Sequence, residues 1–142
     1  MTPEEKQLLL IDIYARLPYN DYKVQIKEEE DDIPRISKLV PSYIDDIKYC
    51  SIASIKPYLR PMSSMTEEEL NKLRNYTGLL YDNLDLASFQ NGAYKCLDFY
   101  LSEVPADVVI KVFDWLNQHH FDYRGLIEQG LALEALEGMY EH

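Results

Sequence analysis

The chain has 142 residues, 46% hydrophobic and 27% charged, so it is long enough to bury a core and too apolar to stay disordered. It carries 25 acidic residues against 14 basic ones, a net charge of −11. That balance disfavours direct binding to nucleic-acid phosphates or to anionic membrane surfaces, while it favours solubility and attracts basic proteins.

The length predicts one domain, residues 1–142. Twelve tyrosines suit half-buried positions and binding surfaces alike. Cys50 and Cys96 have no metal-like spacing. The N-terminus MTPEEKQLLLIDIY lacks the basic start and cleavage site of a signal peptide, and its apolar run is too short to span a bilayer. The expectation is a cytoplasmic protein with both thiols reduced.

Thr2-Pro3-Glu4-Glu5 has the spacing of a capping box with proline at the first helical position, so a first helix is expected near residues 3–16, before Pro18. Its run Leu8–Ile11 and Ile13 is nearly apolar all round, which predicts burial on more than one side. Tyr22, Val24 and Ile26 then alternate with Lys23, Gln25 and Lys27, the period of a half-buried strand. Glu28–Asp32 reads as a solvated turn. The stretch IPRISKLVPSYI, with Pro34 and Pro41, reads as an edge strand or an irregular segment, and DIKYCSI as a further extended stretch. Residues 20–52 are thus expected to form a small antiparallel sheet of two or three strands.

IKPYLRPM (55–62) reads as a proline-stiffened connector. Thr66 and Glu69 repeat the capping-box spacing, Met65 and Leu70 are placed as a hydrophobic staple, and Gly78 is placed to close the helix in the left-handed conformation. Leu86, Phe89, Ala93, Cys96, Leu97, Tyr100 and Leu101 share one helical face, with Gly92 inside it. A further helix starts near Pro105, and short turns broken by Gly125, Gly130 and Gly138 end the chain. Strands segregated from helices predict an α+β fold: a small antiparallel sheet in the N-terminal half packed with four to five helices.

Two islands invite a functional reading. His119, His120, Asp122, Tyr123 and Arg124 crowd the stretch NQHHFDYR. Neighbouring residues on a helix point about 100° apart, so the two imidazoles do not converge on one metal ion. A catalytic zinc needs three protein ligands, and the remaining histidine, His142, is the last residue given. The stretch is therefore expected to be the end of a helix, with imidazoles near its negative terminus and Arg124 pairing locally with Asp122. The second island is Lys56, Tyr58 and Arg60, a small basic knob on an acidic chain. The two together form the candidate partner-binding patch. No catalytic residue, metal ligand or cofactor is assigned, because no G-x-S-x-G, G-x-x-x-x-G-K-[ST], G-x-G-x-x-G or H-E-x-x-H spacing occurs.

The segments IKPYLRPMSSMTEEE (55–69) and LNQHHFDYRGLIEQGLALEALEGMY (116–140) resemble stretches shared by an uncharacterised family of short proteins from phages and mobile elements of gut Bacteroidetes. They cover 40 of the 142 residues. Where that family carries a proline, this chain has Leu136, which lets the last turn run longer. The resemblance implies a phage or mobile-element context and carries over no catalytic residue.

The leading expectation is a small acidic, non-catalytic protein-interaction module with a protein partner, no direct nucleic acid and no membrane. The alternatives are a metal-dependent or other hydrolase using His119–Arg124, and a DNA-mimic inhibitor or virion assembly protein.

Overall fold

Thr2 and Glu5 form the expected capping box: the Thr2 hydroxyl accepts the Glu5 N–H at 3.1 Å, and the Glu5 carboxylate accepts the Thr2 N–H at 3.0 Å. These bonds favour the ionised carboxylate and hold the Glu5 carboxyl below its ordinary range. Helix α1 spans Pro3–Arg16. The computed structural model describes residues 1–19, 21–28, 33–49, 54–78, 85–92, 94–95 and 104–140. Their contacts divide the chain into two units, Met1–Arg60 with Arg124–His142 (unit 1) and Pro61–Tyr123 (unit 2). Five α-helices and four strands are formed among the described residues, an α+β architecture.

Unit 1 holds the whole sheet, in the order β2-β1-β3-β4. Strand β1 (Lys23–Lys27) pairs antiparallel with β2 (Arg35–Lys38) and with β3 (Ser54–Leu59); β4 (Leu133–Glu134) lies parallel to β3. The alternation in β1 is the expected one, with Tyr22, Val24 and Ile26 buried and Lys23, Gln25 and Lys27 on the opposite face. They join Leu9 and Ile13 of α1, Ile44 and Ile47, Ile55 and Leu59, and Leu126 and Leu131 in one core.

Three expectations need correction. Residues 41–48 are helical rather than extended: Pro41 opens α2 (Pro41–Lys48) at its first position, where a missing N–H removes no helical bond, and Ile44 and Ile47 bury one face. The third strand is instead built from the supposed connector. Pro57 stands opposite Val24, and β4 pairs only with Tyr58 and Leu59, so the two-residue ladder needs no donor from the proline. Helix α1 buries one face, Leu9, Asp12, Ile13 and Arg16, while Ile11, Tyr14 and Leu17 face outward.

One side chain lengthens the sheet. The Tyr140 hydroxyl accepts the Lys23 N–H at 2.8 Å and donates to the Tyr58 carbonyl at 2.9 Å, bridging β1 and β3 at the register position after Val24 and Pro57. Tyr140→Phe is expected to destabilise by about 1–3 kcal/mol, the penalty of stranding buried backbone groups, read from urea unfolding.

Unit 2 contains α3 (Glu67–Thr77), α4 (Leu86–Gln90) and α5 (Ala106–Gln118). Thr66 and Glu69 form the second capping box, and Gly78 (φ +72°) ends α3 by donating its N–H to the Arg74 carbonyl at 2.8 Å. Met65 and Leu70 are both buried, as the staple requires. Helix α4, capped by Asp85, stops at Gln90, and Gly92 has φ +106° in the following turn. The longer helical face expected through Gly92 is not continuous there; Ala93, Cys96, Leu97, Tyr100 and Leu101 lie outside the described residues, as do Cys50, His142 and residues 29–32. Leu70, Leu73, Phe89, Val112, Trp115, Leu116 and Phe121 form the unit's core.

Candidate functional site

Helix α5 ends in the stretch that most resembles chemistry. His119 is its C-cap, and His120 takes a left-handed conformation, φ +60°, a position that usually selects glycine. The Phe121 N–H bonds the Leu116 carbonyl at 3.0 Å and the His120 N–H bonds the Asn117 carbonyl at 3.1 Å, the paired bonds of a Schellman ending. Its hydrophobic clasp is the Phe121 ring stacked on Trp115, with centroids 5.9 Å apart. The two histidines are sent to different environments. The His119 ring lies over Trp115 at 4.1 Å and is half-buried, whereas His120 is 0% exposed.

Asp122 is buried, and the Tyr123 hydroxyl donates to the Asn117 Oδ1 at 2.8 Å. Among the described residues no three His, Cys, Asp or Glu side chains are arranged to hold a metal ion. Arg124 belongs to unit 1, where its Nη1 donates to Asp12 Oδ1 at 2.7 Å across 112 residues of sequence.

Asp12 is the hub of a buried polar cluster that sequence reasoning missed. Its carboxylate also accepts from Arg16 Nε at 3.0 Å and Nη2 at 3.1 Å, and from the Tyr22 hydroxyl at 3.0 Å. Asp12 and Arg16 are fully buried, while the Arg124 side chain keeps 19% of its exposure. Burial first, then the adjacent carboxylate, pushes the Tyr22 phenol well above its ordinary value of 10.0. Burial likewise raises Tyr140, and pushes Tyr94 up to about 12.

These phenols favour the folded state while neutral, so their contribution is complete below pH 10 and falls as pH rises through the folded-state values. Above pH 10 each still-neutral buried tyrosine should remove about 1.4 kcal/mol of stability per pH unit, visible as a falling urea midpoint with phenolate absorbance appearing on unfolding.

The second island is divided by burial. Tyr58 is only 5% exposed and receives a 3.4 Å hydrogen bond from the Gln25 amide, whereas Lys56 and Arg60 are half-buried. A partner therefore meets Lys56 and Arg60 before Tyr58. Directly paired residues share a sheet face, which places Lys23 with Lys38, Gln25 with Ile36 and Lys56, and Lys27 with Ser54 on one side. Four lysines thus occupy the face opposite Val24, Ile26 and Ile55. Beside it, α1, the end of α2, the start of β3 and the turn at Gly130 form an open cleft of about 480 Å³, lined by Leu9, Ile47, Ile55 and Leu131 with Lys6 and Lys56 balanced by Glu5 and Asp46.

Comparison with protein-family models, curated proteins and solved structures finds no match to this chain. No described helix is long and apolar enough to cross a membrane.

Proposed function

We propose that this chain is a small acidic protein-interaction module that acts by docking rather than by chemistry. The observation that carries the reading is the outward stripe of α1. Ile11, Tyr14 and Leu17 follow one another at three-residue spacing and remain exposed, and the Lys48 ammonium of α2 stands 5.6 Å from the Tyr14 ring. Tyr49, 79% exposed at the end of α2, adds a second aromatic surface to unit 1. Grouped apolar side chains of this kind mark partner sites more often than scattered ones do.

The reading places the protein in the cytoplasm, without direct contact to nucleic acid, and in the phage or mobile-element setting implied by its 55–69 and 116–140 segments. Affinity capture with crosslinking from a host lysate tests it. A reproducible protein partner, lost with Tyr14→Asp while the melting temperature is kept, is the expected result. Capture of nothing, or a yield that Tyr14→Asp leaves unchanged, would count against docking through this stripe.

A further inference from the structure

We propose that the lysine face of the sheet and the free edge of β2 receive an extended acidic segment of another protein as an added strand. This rests on the reading of the chain as an interaction module and names the partner's chemistry.

Strand β2 is the last in the sheet order among the described residues, with β1 on one side only. A terminal strand presents outward N–H and C=O groups that a further strand can pair. Arg35, Ile36 and Lys38 are exposed along it, Ile36 at 51%. Lys23, Lys27, Lys38 and Lys56 share the face that such a strand would extend, and none of the four makes an ion pair among the described residues. On a chain of net charge −11, this sheet face gathers four cations. An acidic side chain in the added strand would meet Lys38, and an apolar one would cover Ile36.

The other occupants fit less well. A second copy pairing antiparallel through β2 would set Ile36 opposite Ile36, because Leu39 and the residues alternate to it face β1; Lys38 then stands opposite Pro34, which has no N–H for the ladder, and the copy brings no anion to the lysine face. A nucleic acid would meet the same cations, but the aromatic side chain on this face, Tyr58, is buried and offers no stacking platform.

The test uses the full chain and a labelled short peptide of Glu-Thr-Val-Thr repeats (the Glu–Val peptide), which sets Glu and Val in turn on one strand face, with its Lys–Val counterpart and a single-stranded oligothymidylate as competing probes, read by fluorescence anisotropy. The Glu–Val peptide should bind, weaken with rising salt, and lose about tenfold or more in affinity with Lys38→Glu and with Ile36→Asp, a loss of roughly 1.4 kcal/mol. Lys111→Glu, an exposed substitution in unit 2, should leave binding unchanged. Unchanged melting temperatures would establish that the variants fold.

No binding of the Glu–Val peptide, equal binding by the Lys38 and Ile36 variants, or preference for the oligonucleotide would overturn the proposal. So would self-association abolished by Ile36→Asp. If the lysate partner is still captured by Lys38→Glu and Ile36→Asp, docking stands but this surface is wrong; if wild type captures nothing, docking itself fails.

Discussion

Asp12→Asn is expected to destabilise the protein by about 3–5 kcal/mol, the cost of breaking a buried ion pair from one side. The substitution keeps the side chain's shape but removes the charge that faces Arg16 and Arg124, and Arg16 is fully buried. Arg124→Ala should cost less, because the Arg124 side chain retains partial exposure and water can replace some of its contact. Removing both charges of the inner pair leaves neither of them buried without its partner. Asp12→Leu with Arg16→Met should recover part of the lost stability, since a packed apolar pair often equals a buried ionic one, while the buried Tyr22 hydroxyl loses its acceptor. Urea unfolding of the three variants reads the order; an Asp12→Asn variant as stable as wild type would mean the cluster contributes little.

Phe121→Ala is the second large effect, about 3–5 kcal/mol for a fully buried aromatic. The ring closes α5 by stacking on Trp115, so its loss removes core volume and the clasp of the helix ending together. His119→Ala should cost far less, because that ring is only half-buried. Thermal unfolding of both variants is the measurement, and a larger loss at His119 would contradict the picture of a helix terminus held by Phe121.

What was legible in the sequence was the local grammar. Both capping boxes, the Gly78 ending, the period of β1 and the start of α5 follow from a few neighbouring residues, and each forms where the spacing puts it. The nonlocal features were hidden. Pro57 made β3 read as a connector, although its pairing with Val24 needs a partner 33 positions away. Strand β4 is two residues long and is defined by a contact from the far end of the chain.

At the candidate site the same division holds. The divergence of His119 and His120 was readable, since the tail of α5 lies there; the left-handed turn at His120 was not, because glycine is the usual signal. The Asp12–Arg16 pair did leave a trace. Positions 9, 12, 13 and 16 form the buried stripe of α1, and two opposite charges stand in it at four-residue spacing. Arg124 could not be found this way, 112 residues from its partner. The lysine face was half visible in Lys23, Gln25 and Lys27; Lys38 and Lys56 join it only through strand register.

Unit 1 is assembled from both ends of the chain, with residues 61–123 between them. A ribosome therefore releases Leu9, Ile13 and Tyr22 long before Arg124, Leu131 and Tyr140 exist to cover and bond them, while Pro61–Tyr123 emerges as one continuous piece. Domains fold as units during synthesis, so the inserted unit can mature while the first waits as an open, sticky nascent segment. Translation that stops before residue 124 would leave that segment permanently unfinished, a ready substrate for quality-control proteases.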